Sequence, residues 1–260
     1  MQLLSKAKAK LLRSLHQKKY RFANGLFLVE GRKMLQEALA SGWDVDYVVI
    51  RDDVPATLPA NFPLEKVFGA DARTFSAISE LVSPEGVLAV VRFPTEKQFS
   101  RLEAASDMPA LTGPAFLLED IQDPGNLGTI LRTADWFGFS AVVCSGKTAD
   151  CFNPKVLRSS MGAIFRVPII YLQAFPEWVG QVIDKVWLAD MAGEAAGVAA
   201  IASRPFLLLG NEANGVSPGL RALPGAQRLS IPRSGGGESL NVAISGAILA
   251  WELRKSIQTK

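Results

Sequence analysis

Hydrophobic positions along the chain fall into two successive series of short apolar runs separated by helical repeats. Leu3, Leu4, Ala7, Leu11, Leu12 and Leu15 recur at helical spacing, which predicts an N-terminal helix with one apolar face. After Gly25, the run Leu26-Phe27-Leu28-Val29-Glu30 reads as a buried strand, and a helical pattern follows over Lys33 to Ala40 and stops near Gly42. Asp46 to Arg51 is the next strand, then a Pro-rich loop, Val67-Phe68, a short helix over about Ala72 to Leu81, and a strand from Gly86 to Val91. Phe93-Pro94 to Gly113-Pro114 is polar and irregular, the pattern of a boundary.

The second series opens with a strand at Ala115 to Leu118 and a helix near Asn126 to Phe137. It continues as strand Ala141 to Cys144, helix Lys155 to Met161, strand Val167 to Tyr171 and helix Phe175 to Ile183. Strands at Val186 to Ala189 and Phe206 to Leu209, a short helix near Gly219, a strand at Gln227 to Ile231 and a long helix from Ser239 to Lys255 complete it. The order predicts an α/β protein with a largely parallel sheet: residues 1–95 as a small front domain, 96–112 as a linker and 113–260 as the larger domain.

Composition narrows the class. Hydrophobic residues make up 48% and charged residues 20%, too apolar for a disordered chain. No run of 18 apolar residues is present and the N-terminus lacks a signal-peptide core, so a cytoplasmic protein without a membrane span is expected. Cys144 and Cys151 form no CxxC pair and have only His16 beside them in the inventory, which points to reduced thiols and no zinc site. The net charge is +3, but Lys6, Lys8, Lys10, Arg13, Lys18, Lys19, Arg21, Arg32 and Lys33 crowd one stretch against Glu30 alone. Such a segment would attract phosphate; equally, it would solvate an exposed helix.

Ligands of open parallel sheets bind beyond the C-terminal ends of strands, where three glycine-bearing loops lie. In the first, Glu119 to Ala134, Gly125 and Gly128 permit close approach and the helix start near Asn126 offers free N–H groups, whereas Arg132, six positions on, lies on a neighbouring face. An ordinary cap with a solvated arginine fits the same residues. The second, Leu209-Gly210-Asn211-Glu212, sets a carboxylate at a strand end, which turn chemistry alone would also explain. In the third, Ile231 to Val242, three consecutive glycines precede Ser239, a candidate cap for the long helix, and Asn241. Neither GxxxxGK[ST] nor GxGxxG occurs.

Taken in order, DPGNLGTILRTADWFG, LLLGNEANGVS and LSIPRSGGGESLNVAISGAILAWE resemble the three motifs of the SpoU (TrmH-type) family of SPOUT RNA 2′-O-ribose methyltransferases, over about Pro114 to the C-terminus. FLVEGRKMLQEAL and SPEGVLAVV resemble the small ribosomal-protein-like, substrate-binding α/β domain that many members carry in front. The resemblance implies a catalytic domain tied in a deep trefoil knot, where chain rules alone favour an unknotted sheet. It also implies a homodimer through that domain, S-adenosyl-L-methionine as cofactor and RNA as substrate, with ribosomal RNA favoured over transfer RNA. A catalytically silent RNA-binding protein of ribosome assembly is the alternative.

By the same resemblance Leu209, Gly210, Ile231 and Leu240 contact the cofactor, while Asn126, Arg132, Glu212, Ser239 and Asn241 occupy the polar active-site positions. Arg233 stands where the family usually has Met. The implied reaction is in-line attack of a ribose 2′-oxygen on the sulfonium methyl. A guanidinium with a pKa above about 12 is a poor base. Arg132 is therefore expected to hold the neighbouring phosphate and ease loss of the hydroxyl proton. Asn126 and Asn241 would fix the ribose and Arg132, Ser239 would hold substrate or close the loop, and Glu212 would orient the arginine or shape the cofactor loop.

Overall fold

The computed structural model describes residues 2–55, 58–196 and 204–258. Its first half is a five-stranded sheet of β1 (Gln2–Leu3), β2 (Leu26–Glu30), β3 (Val45–Arg51), β4 (Val67–Ala70) and β5 (Val87–Arg92), in the order β1-β4-β3-β5-β2. The pairs β1/β4 and β3/β4 are parallel and β5 is antiparallel to both β2 and β3, so this sheet is mixed. Alternation along the strands decides what covers each face: Leu26 and Leu28 point toward Leu12 and Leu15, Phe75 and Ile78, whereas Phe27 and Val29 join Met34 and Leu35 on the other side. The covering helices are α1 (Lys6–Ser14), α2 (Lys18–Asn24), α3 (Arg32–Ala40) and α4 (Ala72–Ile78). The leucine spacing put Leu3 and Leu4 in the first helix, but Leu3 pairs with Gly69 in β1 and Ser5 caps α1; a separate helix, α2, follows and closes on Gly25 at φ 62, a left-handed position suited to glycine.

The second half is a seven-stranded sheet in which every pair is parallel. Its strands are β6 (Phe99–Leu102), β7 (Ala115–Leu118), β8 (Ala141–Ser145), β9 (Ile169–Leu172), β10 (Val186–Ala195), β11 (Phe206–Leu209) and β12 (Gln227–Ser230), ordered β12-β10-β11-β7-β8-β9-β6. Its helices are α5 (Pro124–Trp136), α6 (Pro154–Ser160), α7 (Phe175–Gln181), α8 (Pro218–Arg221) and α9 (Val242–Gln258). One expectation needs correction here: residues 96–112 are not a bare linker, since Phe99–Leu102 adds β6 to the sheet edge beside β9. Polar Ser100 and Arg101 interrupt its apolar run, so it does not stand out by pattern, and pairing with β9 supplies the missing incentive.

One apolar cluster runs from the inner face of the front sheet through α3, α5, α6 and α9 to Phe116, Leu118, Cys144 and Leu209 of the rear sheet. Phe152 is its hinge, with ring centroids 4.7 Å from Phe27, 4.4 Å from Phe93 and 4.7 Å from Phe99. A buried ion pair, Arg21 to Asp150 at 2.6 Å, closes the same seam. The far face of the rear sheet packs Leu117, Val143 and Leu208 against Phe175, Trp178 and Leu220 of α7 and α8. Both faces of the central strands β7, β8, β9 and β11 are therefore covered, and chemistry is left to the strand ends.

Candidate active site

At the C-terminal end of β7 the chain turns at Asp120, a non-glycine residue at φ 55. Its amide donates to Ser145 Oγ (2.8 Å), its carboxylate accepts from that hydroxyl (2.6 Å), and its carbonyl accepts from Asn211 Nδ2 (2.8 Å). The three bonds hold a backbone conformation that few side chains tolerate. Asp123 then caps α5 by accepting from the amide of Asn126 at 3.0 Å, with Pro124 in the first turn where its missing N–H costs nothing. Lys155 Nζ donates to Asp123 Oδ2 at 2.9 Å and, more than any other contact, pulls the Asp123 carboxyl below the usual carboxylate range. Gly128 allows α6 to press on α5: a Cβ there would lie 1.9 Å from Ser159 Oγ and 2.7 Å from the carbonyl of Val156.

The second loop leaves β11 through Gly210, buried against its own turn. A Cβ on Gly210 would meet Gly215 C at 2.1 Å and Val216 N at 2.2 Å, and the turn is closed by the amide of Gly215 donating to Asn211 O at 2.8 Å. From it Glu212 reaches across to the first loop. Its Oε2 accepts from the amide of Gln122 (3.1 Å), and its Oε1 accepts from the amide of Asp123 (3.0 Å) and from Asn126 Nδ2 (3.1 Å). Desolvation by the adjoining loop raises the pKa of the exposed Glu212, but these donors outweigh it and the carboxyl ends below its ordinary 4.5.

The third loop closes the set through Asn241. Its Nδ2 donates to Asn126 Oδ1 at 2.9 Å while its Oδ1 accepts from the amides of Ala243 (2.9 Å) and Ile244 (3.2 Å). An ionised carboxylate only accepts, so Asn126 must turn its NH2 to Glu212 and its oxygen to Asn241, and that in turn fixes the Asn241 amide. Asn241, not Ser239, is the cap of α9, since its Oδ1 takes the free amides of Ala243 and Ile244; the helix begins at Val242, three residues later than the apolar pattern suggested.

Three of the five polar positions singled out from sequence, Asn126, Glu212 and Asn241, are thus one hydrogen-bonded chain across all three loops. Arg132 and Ser239 are not part of it: both are exposed and neither side chain is hydrogen-bonded among the described residues. Six residues separate Asn126 from Arg132, about 9 Å along the helix axis, too far round α5 to share a partner in one chain. Glu212 consequently binds the first loop rather than the arginine.

Of the apolar positions, Leu209 and Gly210 are buried, Ile231 is half-buried and Leu240 is 52% exposed. Residues 232–240 are all exposed, and the carbonyl of Gly237, which accepts from Arg233 Nη1 at 3.1 Å, is their one backbone group with a partner among the described residues. Asp120, Asn211 and Lys155 were not singled out from sequence. The Asp123-Pro124 pair, a cap followed by proline, was a legible signal for the start of α5.

The strand ends of this mostly parallel sheet thus carry three loops stitched by Glu212, Asn126 and Asn241, at the edge where ligands of parallel sheets bind, and none of the loops holds the glycine fingerprint of a nucleotide-phosphate enzyme. Residues 114–251 match the family described as SpoU rRNA Methylase, and residues 6–89 match the MRM3-like substrate binding domain. The 23S rRNA (guanosine(2553)-2′-O)-methyltransferase RlmP of Bacillus subtilis is 34% identical over 95% of this chain and 96% of its own length. The human mitochondrial rRNA methyltransferase 3 is 27% identical over 92% of this chain and 70% of its own.

A putative RNA methyltransferase of the TrmH family from Porphyromonas gingivalis superimposes with a TM-score of 0.80 at 36% identity, covering 97% of this chain and 99% of that one. An AdoMet-bound rRNA methyltransferase from Sinorhizobium meliloti does so with a TM-score of 0.80 at 28% identity, covering 98% and 97%. The chain belongs to the SpoU methylase family. It is an enzyme, and its cofactor is S-adenosyl-L-methionine.

The residues present fit that cofactor. Unbonded main-chain groups of 232–240 offer donors and acceptors, and the exposed Leu240 with Ile231 offers apolar surface for a flat purine.

Proposed function

We propose that this enzyme methylates a ribose 2′-hydroxyl in structured RNA, with ribosomal RNA as the target. The observation that carries the reading is the Glu212–Asn126–Asn241 chain, which ties the cofactor-side turn at Gly210 to the substrate-side helix starts of α5 and α9. The named relatives act on ribosomal RNA, and the front domain matches a substrate-binding domain, which supports that target.

When bound, the cofactor supplies an electrophilic methyl group on a sulfonium centre. The protein's share is alignment and one proton. Gly210, Leu209, Ile231 and Leu240 hold the cofactor, Glu212 fixes the turn that shapes its pocket, and Asn126 and Asn241 present polar edges to the ribose. Arg132 would take the adjacent phosphate, so that its charge favours loss of the 2′-hydroxyl proton to solvent while the oxygen–methyl bond forms, the methyl's carbon–sulfur bond breaks and the thioether product leaves. Ser239, on the exposed loop, closes over substrate.

The enzyme acts as a homodimer in this reading. Thr129, Arg132 and Trp136 form the exposed stripe of α5, and Ile244, Ile248 and Trp251 that of the neighbouring α9, with Trp136 83% and Trp251 51% exposed. A stripe this apolar on packed helices favours a second copy, and Arg132 lies inside it, so pairing completes surroundings that the single chain leaves open. The trefoil knot is part of the same proposal, supported by β12 lying outside β10 while α9 returns to pack on α5 and β11. Two buried, unbridged cysteines suit work in the cytoplasm.

The test is methyl transfer to unmodified ribosomal RNA, with 2′-O-methyl mapping of the product and calorimetry of cofactor binding. Arg132→Ala is expected to abolish transfer and leave cofactor affinity within about twofold. Binding of RNA without any binding of millimolar cofactor would establish a silent RNA-binding protein instead.

A further inference from the structure

The N-terminal cations divide into two sets. Arg21 is used internally: Nε and Nη2 donate to Asp150 Oδ2 at 3.2 and 2.6 Å, and Nη1 donates to the carbonyls of Leu15 and His16 at 2.9 and 2.7 Å. Lys8 is folded over the rings of Tyr47 and Phe68 at 4.2 and 4.7 Å. Lys6, Lys10, Arg13, Lys18 and Lys19 are exposed and make no ion pair with any described residue. The first three, at i, i+4 and i+7 of α1, share one face. Neither α1 nor α2 has an acid in its first turn, where lysines oppose the helix dipole. Cations held against their local electrostatics are relieved by an external anion.

Arg101 carries this surface onto the rear sheet. Its guanidinium lies 4.4 Å over Phe22 of α2 and 5.1 Å over Tyr171, and the Lys18 ammonium lies 6.0 Å from the same Phe22 ring. In register, Arg101 pairs with Tyr171, Tyr171 with Cys144, and Cys144 with Leu118. Arg101 is therefore three strands along from the strand end that opens into the first loop, about 14 Å at ~4.8 Å per strand. All these strands are parallel, so both lie toward the same edge of the sheet.

We propose that Lys18, Lys19 and Arg101 form a phosphate-docking face for the backbone of the target RNA a few nucleotides from the methylated ribose. Arg21–Asp150 pins α2 to the rear domain and so holds that face at a set distance from the three loops. The inference rests on the RNA-methyltransferase reading.

The test compares Lys18→Gln/Lys19→Gln and Arg101→Gln with the unaltered protein on unmodified large-subunit ribosomal RNA transcribed in vitro. All three side chains are exposed and outside the transfer machinery. The double variant is expected to raise the RNA KM about tenfold and to flatten the slope of log K against log salt by about 0.7–0.9 for each phosphate that is no longer neutralised. The kcat at saturating RNA and the cofactor affinity should stay within about twofold, and Lys18→Arg/Lys19→Arg should restore the slope. Unchanged KM and salt slope in the double variant and in Arg101→Gln overturn the face, as does a loss confined to kcat. If the unaltered protein binds RNA with the expected salt slope but transfers no methyl group, the activity reading fails and the docking face stands.

Discussion

Glu212→Gln isolates the contact on which the site depends. The substitution preserves shape, yet one of the two carboxylate oxygens becomes an NH2 group facing an N–H donor. With the remaining oxygen at the Oε1 position, the bonds to the Asp123 amide and Asn126 Nδ2 survive as neutral ones, and the 3.1 Å bond from the Gln122 amide disappears. Hydrogen bonds to charged groups contribute about 1.5–3 kcal/mol and neutral ones about 0.5–1.5. Glu212 is exposed, so water replaces part of this stabilisation and the net effect should be about 1–2 kcal/mol, or roughly 5- to 30-fold in cofactor affinity. Calorimetry with S-adenosylmethionine reads it directly, with Glu238→Gln on the exposed glycine loop as the neutral control. A double cycle with Asn126→Ala should be non-additive by at least ~0.5 kcal/mol, since the two residues share one bond. Full cofactor affinity in Glu212→Gln, or strict additivity with Asn126→Ala, would refute the argument that the three loops are coupled through this carboxylate.

Gly210→Ala should remove cofactor binding more completely than Glu212→Gln, because its Cβ would sit 2.1 Å from backbone that cannot step aside; retained binding by calorimetry would contradict this. Gly128→Ala should lower Tm by several degrees through separation of α5 from α6, an overpacking cost of about 1–3 kcal/mol. Asp150→Ala strands the buried Arg21 guanidinium and should cost about 3–5 kcal/mol in a denaturant titration, far more than removal of an exposed pair. The Glu212 carboxyl has its folded pKa lowered, so its contribution is fully present above the ordinary 4.5 and is lost as pH falls through the lower folded value. Cofactor affinity attributable to Glu212 should therefore be flat from neutral pH down to about 4.5 and fall only below it, with Glu212→Gln lacking that fall.

The strands were legible because burial on both faces requires continuous apolar runs such as Leu26-Phe27-Leu28-Val29 and Phe206-Leu207-Leu208-Leu209, and few other elements tolerate them. The three loops and their family were legible as well, since Gly210, Glu212 and Asn241 sit at fixed offsets from strand ends. The strand at Phe99–Leu102 was not, because a four-residue edge strand owes its existence to β9, more than sixty residues away in sequence. Which polar residues meet was not legible either: Asn126, Glu212 and Asn241 come from three separate elements, and their distances depend on how the sheet brings β7 beside β11 and α9 back onto α5. The division of the N-terminal cations was likewise tertiary, for Lys8, Arg21 and Lys18 look alike along the chain and are told apart only by an aromatic ring, a buried aspartate and open solvent. Sequence sets which residues are available at each strand end and helix face; the packed sheet, by spending some of them on its own stability, decides which remain for RNA and cofactor.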